Sequence, residues 1–262
     1  MIFLSVITNK TIKPLKGRRK DGEFYIQYKY LLKSINKIYP NAIPILYVLE
    51  GDMPRHNLEN LHKNVIVVDY RKQYKEKAGM DTNKLIILKN VINEYNDHVV
   101  LIDTDCLVIK KFDEYLNDDV DITNINRGET MYKNVRQDIC FGVFIFHKYR
   151  LDNLRIFIDR LILMGKDHGA KTKDWWNNIQ PMVTKIYHEA GIDTSDASNI
   201  VRGDIEVNGV TIKAKAVPSY VLGNSFRYEK NGTPHPDARI LHYKTSKPYV
   251  KDLYKLYVET DQ

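Results

Sequence analysis

Cysteine is nearly absent: only Cys106 and Cys140 occur in 262 residues. Two cysteines cannot form the framework of a disulfide-stapled secreted domain. Both stand in apolar, strand-like runs, so both are expected as buried, reduced thiols. No apolar run approaches the roughly 18 residues of a membrane-crossing helix, so no membrane span is expected. The apolar start MIFLSVITNKTIK has neither a preceding basic region nor a small-residue cleavage pattern. It reads as a first strand rather than a signal peptide, with the cytoplasm as the expected compartment, host cytoplasm if the protein is viral. Internal repeats and low-complexity segments are missing. No Cys/His spacing suggests a metal cluster, and the His168–Lys171 stretch (HGAK) offers neither a catalytic triad nor a phosphate loop. A glycine-rich loop after the first strand is also missing, since Lys10–Lys20 holds only Gly17. That argues against a sugar-nucleotide pyrophosphorylase.

What is present is an ordinary globular composition with a cationic tilt. Apolar residues make up 43% and charged residues 28%, enough for a sizeable core in one large domain. Lys plus Arg outnumber Asp plus Glu by 40 to 33, a formal charge of +7. Such a field favours an anionic partner (a nucleotide, a nucleic acid or an acidic surface) without choosing among them.

Two periodicities alternate through the first half. Ile2–Thr8, Ile43–Leu49, Val65–Val68 and Val99–Ile102 are short apolar runs rich in β-branched residues, the mark of strands buried on both faces. Between them, Phe24, Tyr28, Leu31, Leu32, Ile35 and Ile38 recur at helical spacing up to Pro40. Leu85, Leu88, Val91, Ile92 and Tyr95 do so again over Met80–Tyr95, with Asp81 or Thr82 as the expected cap. This alternation predicts an α/β fold with a mostly parallel sheet flanked by helices. In the second half, Val120–Ile125 and Ile139–His147 read as strands. Leu151–Met164 reads as a helix ended by Gly165, and Lys166–Lys173 as a mobile loop. Asp174–Glu189 reads as a helix despite Pro181. Glu206–Val217 reads as a hairpin about Asn208-Gly209, a strong two-residue turn signal. Arg239–Tyr243 is a late strand and Val250–Val258 a closing helix. A single domain is expected over residues 1–262.

The stretch VVLIDTDCLVI places Asp103 and Asp105 directly after an apolar strand. In open parallel sheets, ligands bind beyond the carboxyl ends of the strands. Side chains two apart on an extended segment share a side. Two carboxylates there suit Mg²⁺ or Mn²⁺, and such a cation can carry a diphosphate. A solvated pair in a loop fits the same three residues.

The wider stretch MDTNKLIILKNVINEYNDHVVLIDTDCLVIKKFDEYL resembles the centre of GT-A-type nucleotide-sugar glycosyltransferases, in the group containing glycogenin and the lipopolysaccharide galactosyltransferases. The matching features are Lys84-Leu85, Asp103-Thr104-Asp105, Leu107–Ile109 and Phe112–Leu116. A second match is Leu241-His242-Tyr243-Lys244-Thr245-Ser246-Lys247-Pro248-Tyr249. The resemblance implies a GT-A-like fold, with residues 1–147 binding a nucleoside-diphosphate sugar and residues 148–262 supplying acceptor-side and closing segments. It implies Asp103, Asp105 and His242 as ligands of Mn²⁺ or Mg²⁺ and Lys247 on the donor diphosphate. A UDP-sugar is the expected donor, and transfer is expected to retain anomeric configuration. No residue stands out as a nucleophile, which favours front-face attack with the leaving phosphate as base. Departures are equally specific. The spacing from His242 to Lys247 is one residue short of the family's, and Tyr249 replaces its tryptophan. Cys140 stands where asparagine precedes Gly142. The family's Asp-Gln pair is reduced to Ile179-Gln180, with Asp174 a possible substitute for the missing acid.

Other residues carry two readings. Thr8 and Asn9 end the first strand, where this fold holds the base and ribose; a simple turn explains them too. Tyr70 is a candidate for stacking on the base, with Asp69 binding it or capping the next segment. Lys84 reaches a phosphate or ribose, or is a solvated helix residue. Lys10–Lys20 has six basic residues in eleven. It is a solvated loop, a flap over phosphates, or, with Arg71, Lys72, Lys75 and Lys77, a track for a nucleic-acid backbone. The acceptor is therefore a saccharide or, as in phage-type enzymes, DNA carrying hydroxymethylated pyrimidines. A catalytically inactive nucleic-acid-binding module on the same fold is the remaining alternative. Trp175-Trp176 stacks on a sugar ring or a flipped-out base, or places one tryptophan in the core and the other bracing a loop.

Overall fold

Apolar strands without alternation have nowhere to go but the middle of a layered fold, and Ile2–Val6 of the first strand are buried accordingly. The computed structural model describes residues 1–9, 23–51, 53, 58–74, 79–116, 119–132, 134–172, 179–223, 233–243 and 249–260. The elements run β1 (Ile2–Asn9), α1 (Glu23–Ile38), β2 (Ile43–Gly51), β3 (Ile66–Asp69), α2 (Met80–Glu94), β4 (Val99–Ile102), β5 (Cys106–Val108), β6 (Ile122–Asn126), β7 (Met131–Tyr132), β8 (Val135–Arg136), β9 (Ile139–Phe146), α3 (Leu151–Thr172), α4 (Ile179–Glu189), β10 (Val201–Val207), β11 (Val210–Pro218), α5 (Ser219–Leu222), β12 (Ile240–His242) and α6 (Val250–Tyr254), which continues as a π-helical turn, Lys255–Glu259. The main sheet has eight strands in the order β10-β11-β6-β9-β4-β1-β2-β3. The fold is thus α/β with a mostly parallel sheet flanked by helices, as the alternating periodicities predict. Two short antiparallel pairs, β5 with β12 and β7 with β8, stand apart from it. No helix among the described residues is long and apolar enough to cross a membrane.

The chain divides into two compact units, each discontinuous in sequence. The first comprises Met1–Tyr74, Ile102–Phe112 and Tyr220–Gln262. In it β1 pairs in parallel with β2, and β2 with β3. The buried Ser5 hydroxyl donates to the Ile102 carbonyl at 2.9 Å, tying β1 to the residue before the Asp103–Asp105 turn. Tyr39 packs against Phe3 and Phe112. Its hydroxyl accepts from the Phe112 N–H at 2.6 Å. A second apolar cluster gathers Leu107, Ile109, Leu241, Tyr243, Val250, Leu253, Tyr254 and Val258.

The second unit comprises Lys75–Leu101 and Asp113–Ser219. Here β11 runs parallel to β6, while β9 runs antiparallel to β6 and β10 to β11. Asn208 and Gly209 both take positive φ, 50° and 81°, so the β10–β11 hairpin turns where the sequence says it should.

Two local expectations fail for physical reasons, and a third holds. Neither Asp81 nor Thr82 caps α2; Gly79 does, at φ 78°, and Asn83 donates from its side chain to the Gly79 carbonyl at 2.7 Å. Gly165 does not end α3, which runs on through Lys166–Thr172 in place of the predicted loop. A Cβ on Gly165 would lie 2.5 Å from Ile179 Cδ1 and 3.2 Å from Thr82 Oγ1. The glycine therefore serves close helix packing, a tertiary demand that looks like a helix stop in one dimension. Pro181 falls in the first turn of α4, where a missing N–H breaks no helical bond.

The second unit also buries two facing histidines. The His98 and His147 rings meet edge-on at 5.4 Å, and His147 Nε2 lies 2.9 Å from Thr123 Oγ1. Burial and then the neighbouring His98 hold His147 down at about 4, from 6.5. Burial lowers His98 as well. Because the folded pKa lies below the unfolded one, this contribution to stability is complete above pH 6.5 and is lost as pH falls toward 4. Urea unfolding should therefore show stability falling through that window by up to about 1.4 kcal/mol per pH unit for the proton His147 takes up. His147→Gln, which keeps a partner for Thr123, should flatten the slope; an unchanged slope would refute the assignment.

Candidate active site

The apolar run of β4 stops at Ile102, and the chain turns through Thr104 and Asp105 before resuming as β5. The acidic pair thus lies on a turn, not on the extended segment from which both side chains were expected to share a side. Asp103 is part-exposed; Thr104 and Asp105 are buried. The turn is held from the far end of the chain. The Tyr243 N–H donates to the Asp105 carbonyl at 3.0 Å, and the Tyr243 hydroxyl to the Thr104 carbonyl at 3.3 Å.

The holding element is β12, which pairs antiparallel with β5 in the register Ile240↔Val108, Leu241↔Leu107, His242↔Cys106. Directly opposed residues share a face. Leu107 and Leu241 turn into the cluster built by α6 and its continuation. The other face carries Cys106 and His242. His242 Nε2 lies 3.2 Å from Asp105 Oδ1, a contact that spans 137 residues of sequence and leaves His242 only 2% exposed.

The sequence-predicted triad is therefore brought together in part. Asp105 and His242 meet. The group of potential ligands whose donor atoms all lie within 4.8 Å of one another is Asp105, Cys106 and His242, all buried. Asp103 stands outside that group. A carboxylate oxygen, an imidazole nitrogen and a thiol sulfur, all on buried residues, are donors that could hold a divalent cation. Sequence reading did not bring Cys106 and His242 together, because no Cys/His spacing signals it: the pairing is set by strand register alone.

The other predicted residues are distributed as follows. Tyr70 follows β3; its ring meets Tyr47 edge-on at 5.7 Å, and its N–H donates to the Val48 carbonyl. Asp69 is engaged by Arg71, whose side chain and backbone N–H hold its carboxyl down at about 2 from 3.8, so it caps the following turn. Thr8 and Asn9 lie on β1 past a register shift at Ile7/Thr8; their side chains are outside the described residues. Asp174, Trp175, Trp176, Lys247 and the basic run Lys10–Lys20 also lie outside them.

In the second unit, Lys84 is buried with Asp81, Thr82 and Asn83 in the first turn of α2, its Nζ 3.9 Å from Asp81 Oδ1. It is not the solvated helix residue that one reading allowed. Gln180 is buried on α4, and its Oε1 accepts from the Phe141 N–H at 3.4 Å. That contact sets its side chain against the strand that carries Cys140 and Gly142. The β6–β9 register slips there, from Asn124↔Phe144 to Ile125↔Cys140, leaving Phe141–Val143 bulged. The helix is fixed along this strand by Thr184, whose Oγ1 accepts from the Ile139 N–H at 3.1 Å. It is fixed again by Asp138, whose Oδ2 takes Thr194 Oγ1 at 2.7 Å and lies 3.1 Å from His188 Nε2.

No family model matches the sequence, and no curated protein matches it. Solved structures match it in fold. A glycosyltransferase involved in glycosylation of the major capsid of PBCV-1 aligns over 97% of this chain and 98% of its own, at 13% identity and a TM-score of 0.53. The galactosyltransferase LgtC, solved with donor and acceptor sugar analogues, aligns over 100% and 98%, at 12% identity and 0.53. The glycosyltransferase GlyE of Streptococcus pneumoniae aligns over 99% of this chain and 60% of its own, at 11% identity and 0.58. The chain has the GT-A glycosyltransferase fold.

The Thr184 contact gives a direct check on how α4 is seated. Thr184→Val keeps the shape but leaves the buried Ile139 N–H without its acceptor. It should cost about 1–3 kcal/mol in urea unfolding; a loss below the error of the measurement would mean that the helix is not anchored there.

Proposed function

We propose that the protein is a metal-dependent glycosyltransferase that moves a sugar from a nucleoside-diphosphate sugar, by our reading a UDP-sugar, to a saccharide acceptor with retention of anomeric configuration. The observation that carries this reading is the buried contact of Asp105 with His242. Costly burial of a carboxylate beside an imidazole, at the turn ending a sheet strand, has a ready explanation in cation binding.

Asp103, Asp105 and His242 would hold Mn²⁺ or Mg²⁺. When bound, the cation offsets charge on a departing diphosphate. The chain's own groups do the rest. Lys247 adds a positive charge beside the same diphosphate, where negative charge grows as the sugar bond breaks. Thr8, Asn9 and Tyr70, on or just beyond strands of the first unit, take the base and ribose. Lys84 takes a phosphate or ribose oxygen. Gln180, on α4 against the bulged strand, serves the sugar side with Asp174. No side chain is assigned as a nucleophile; the acceptor hydroxyl attacks from the face the diphosphate leaves, the bond from the sugar to the diphosphate breaks, and the hydroxyl proton passes to the departing phosphate oxygen. Residues 1–147 form the donor-binding core of one glycosyltransferase domain, and residues 148–262 supply the acceptor side.

Incubation with Mn²⁺ and a panel of nucleotide sugars should release a nucleoside diphosphate, chiefly UDP. Asp103→Ala, at a part-exposed position, should lower that release by about 100-fold or more while leaving thermal unfolding little changed; His242→Ala should lower it as far but also destabilise the fold, because it removes the imidazole contact of the buried Asp105 carboxylate. Release from no donor would overturn the proposal, and full activity of Asp103→Ala would remove that residue from the site. Proton NMR of the product should show the donor's anomeric configuration; the inverted anomer would exclude front-face transfer. The six basic residues of Lys10–Lys20 favour duplex DNA as the second acceptor to test. That reading predicts salt-sensitive DNA binding, weakened when Arg18, Arg19 and Lys20 are neutralised together.

A further inference from the structure

We infer that β10, the outermost strand of the main sheet, is the surface on which a second copy of this chain docks, the two β10 strands pairing antiparallel about a two-fold axis at Gly203. The inference does not rest on the transferase reading.

β10 stands first in the sheet order and pairs on one side with β11; no other strand among the described residues pairs with it. Such an edge carries a row of main-chain donors and acceptors that a further strand can satisfy. The hairpin shows which groups those are. Its two-residue turn, Asn208-Gly209, closes on the Val207↔Val210 pair. In a turn of that kind the closing pair exchanges both of its hydrogen bonds. Alternation along the ladder then commits Val207, Ile205, Gly203 and Val201 to β11, and Arg202, Asp204 and Glu206 direct their N–H and C=O groups outward. The side chains of these three are exposed, on the face opposite that of the buried Ile205 and Val207.

Charge selects the register. Of the antiparallel registers that join the outward groups, those centred on Arg202, Asp204 or Glu206 set a charge against its own copy. The one centred on Ile205 sets Asp204 against Glu206. Centred on Gly203, the pairing sets Arg202 of each chain against Asp204 of the other. Opposite charges directly across a ladder are favourable and like charges are not, so the Gly203 register is preferred. Two further features agree. Within one chain Arg202 stands directly opposite Lys215, a like charge that an acid from the other side offsets. The same register lays Ile200, 48% exposed, against the stem of Glu206 and sets the part-exposed Val201 beside Ile205 of the second copy. At the axis Gly203 meets its copy in a close, non-hydrogen-bonded pair with no side chain between. The contact uses the same patch on both chains, so it closes at a dimer and removes the open edge.

Sedimentation equilibrium of the full-length protein, run up to about 100 μM, should show the average mass rising with concentration from monomer toward dimer. Arg202→Asp and Asp204→Arg should each raise the dissociation constant by about tenfold or more, because each sets like charges opposite at both pairs. An equimolar mixture of the two variants should restore association, since each chain then meets the opposite charge at both positions. The doubly reversed chain, Arg202→Asp with Asp204→Arg, should also associate like the wild type. Recovery in the mixture separates lost complementarity from a damaged fold. A wild-type protein that stays monomeric at the highest concentration overturns the proposal. So does a dimer that neither reversal weakens, or a mixture that associates no better than its components.

Discussion

The antiparallel pairing of β5 with β12 is the constraint on which the candidate site depends. Three residues on each side bring His242 to Asp105 across 137 positions of sequence. The pairing is short, and its hydrogen bonds alone would be marginal in water. Its register is set by what lies behind it. Leu107, Ile109, Leu241 and Tyr243 point into an apolar cluster completed by Val250, Leu253 and Val258. A slip of one residue would turn those side chains away from the cluster and carry Cys106 and His242 to its side. Each large apolar side chain so buried is worth about 1.5–3 kcal/mol, so the wrong register is heavily disfavoured. Packing on one face thereby aligns Cys106 and His242 on the other, and the Tyr243 bonds to Asp105 and Thr104 hold the adjoining turn.

A similar division of labour operates in the second unit. The α4 helix is pinned to β9 by two hydroxyl- or amide-to-backbone contacts, Thr184 with Ile139 and Gln180 with Phe141. At its far end the fully buried Asp138 gathers Thr194, His188 and Arg136. A buried carboxylate is costly unless its lone pairs are taken up, and here they are. The close approach of α3 to Ile179 is possible because Gly165 has no side chain to obstruct it. The bulge at Phe141–Val143 is thus held from several directions, as a strand irregularity must be if it is to present groups in a fixed orientation.

Much of the fold was legible in local pattern. The apolar runs of β1, β2 and β4, the helical faces of α1 and α2, and the Asn208-Gly209 turn each announce themselves within a dozen residues. Of the candidate site, the meeting of Asp105 with His242 was legible only because two motifs far apart both resemble one enzyme group. Cys106 was not. In sequence it is one more apolar-looking residue in an apolar run, and only the strand it faces makes it a candidate ligand. Gly165 misled for the matching reason: a glycine kept for helix packing and a glycine that ends a helix look alike in one dimension.

By itself, then, the sequence determined the order and type of the elements, the carboxyl-edge position of the acidic pair, and the cationic balance of the chain. These follow from interactions between residues that are near neighbours. Which side chains face one another was decided by the tertiary structure. Opposition across strands depends on register, and register depends on burying one face of a ribbon against residues more than a hundred positions away.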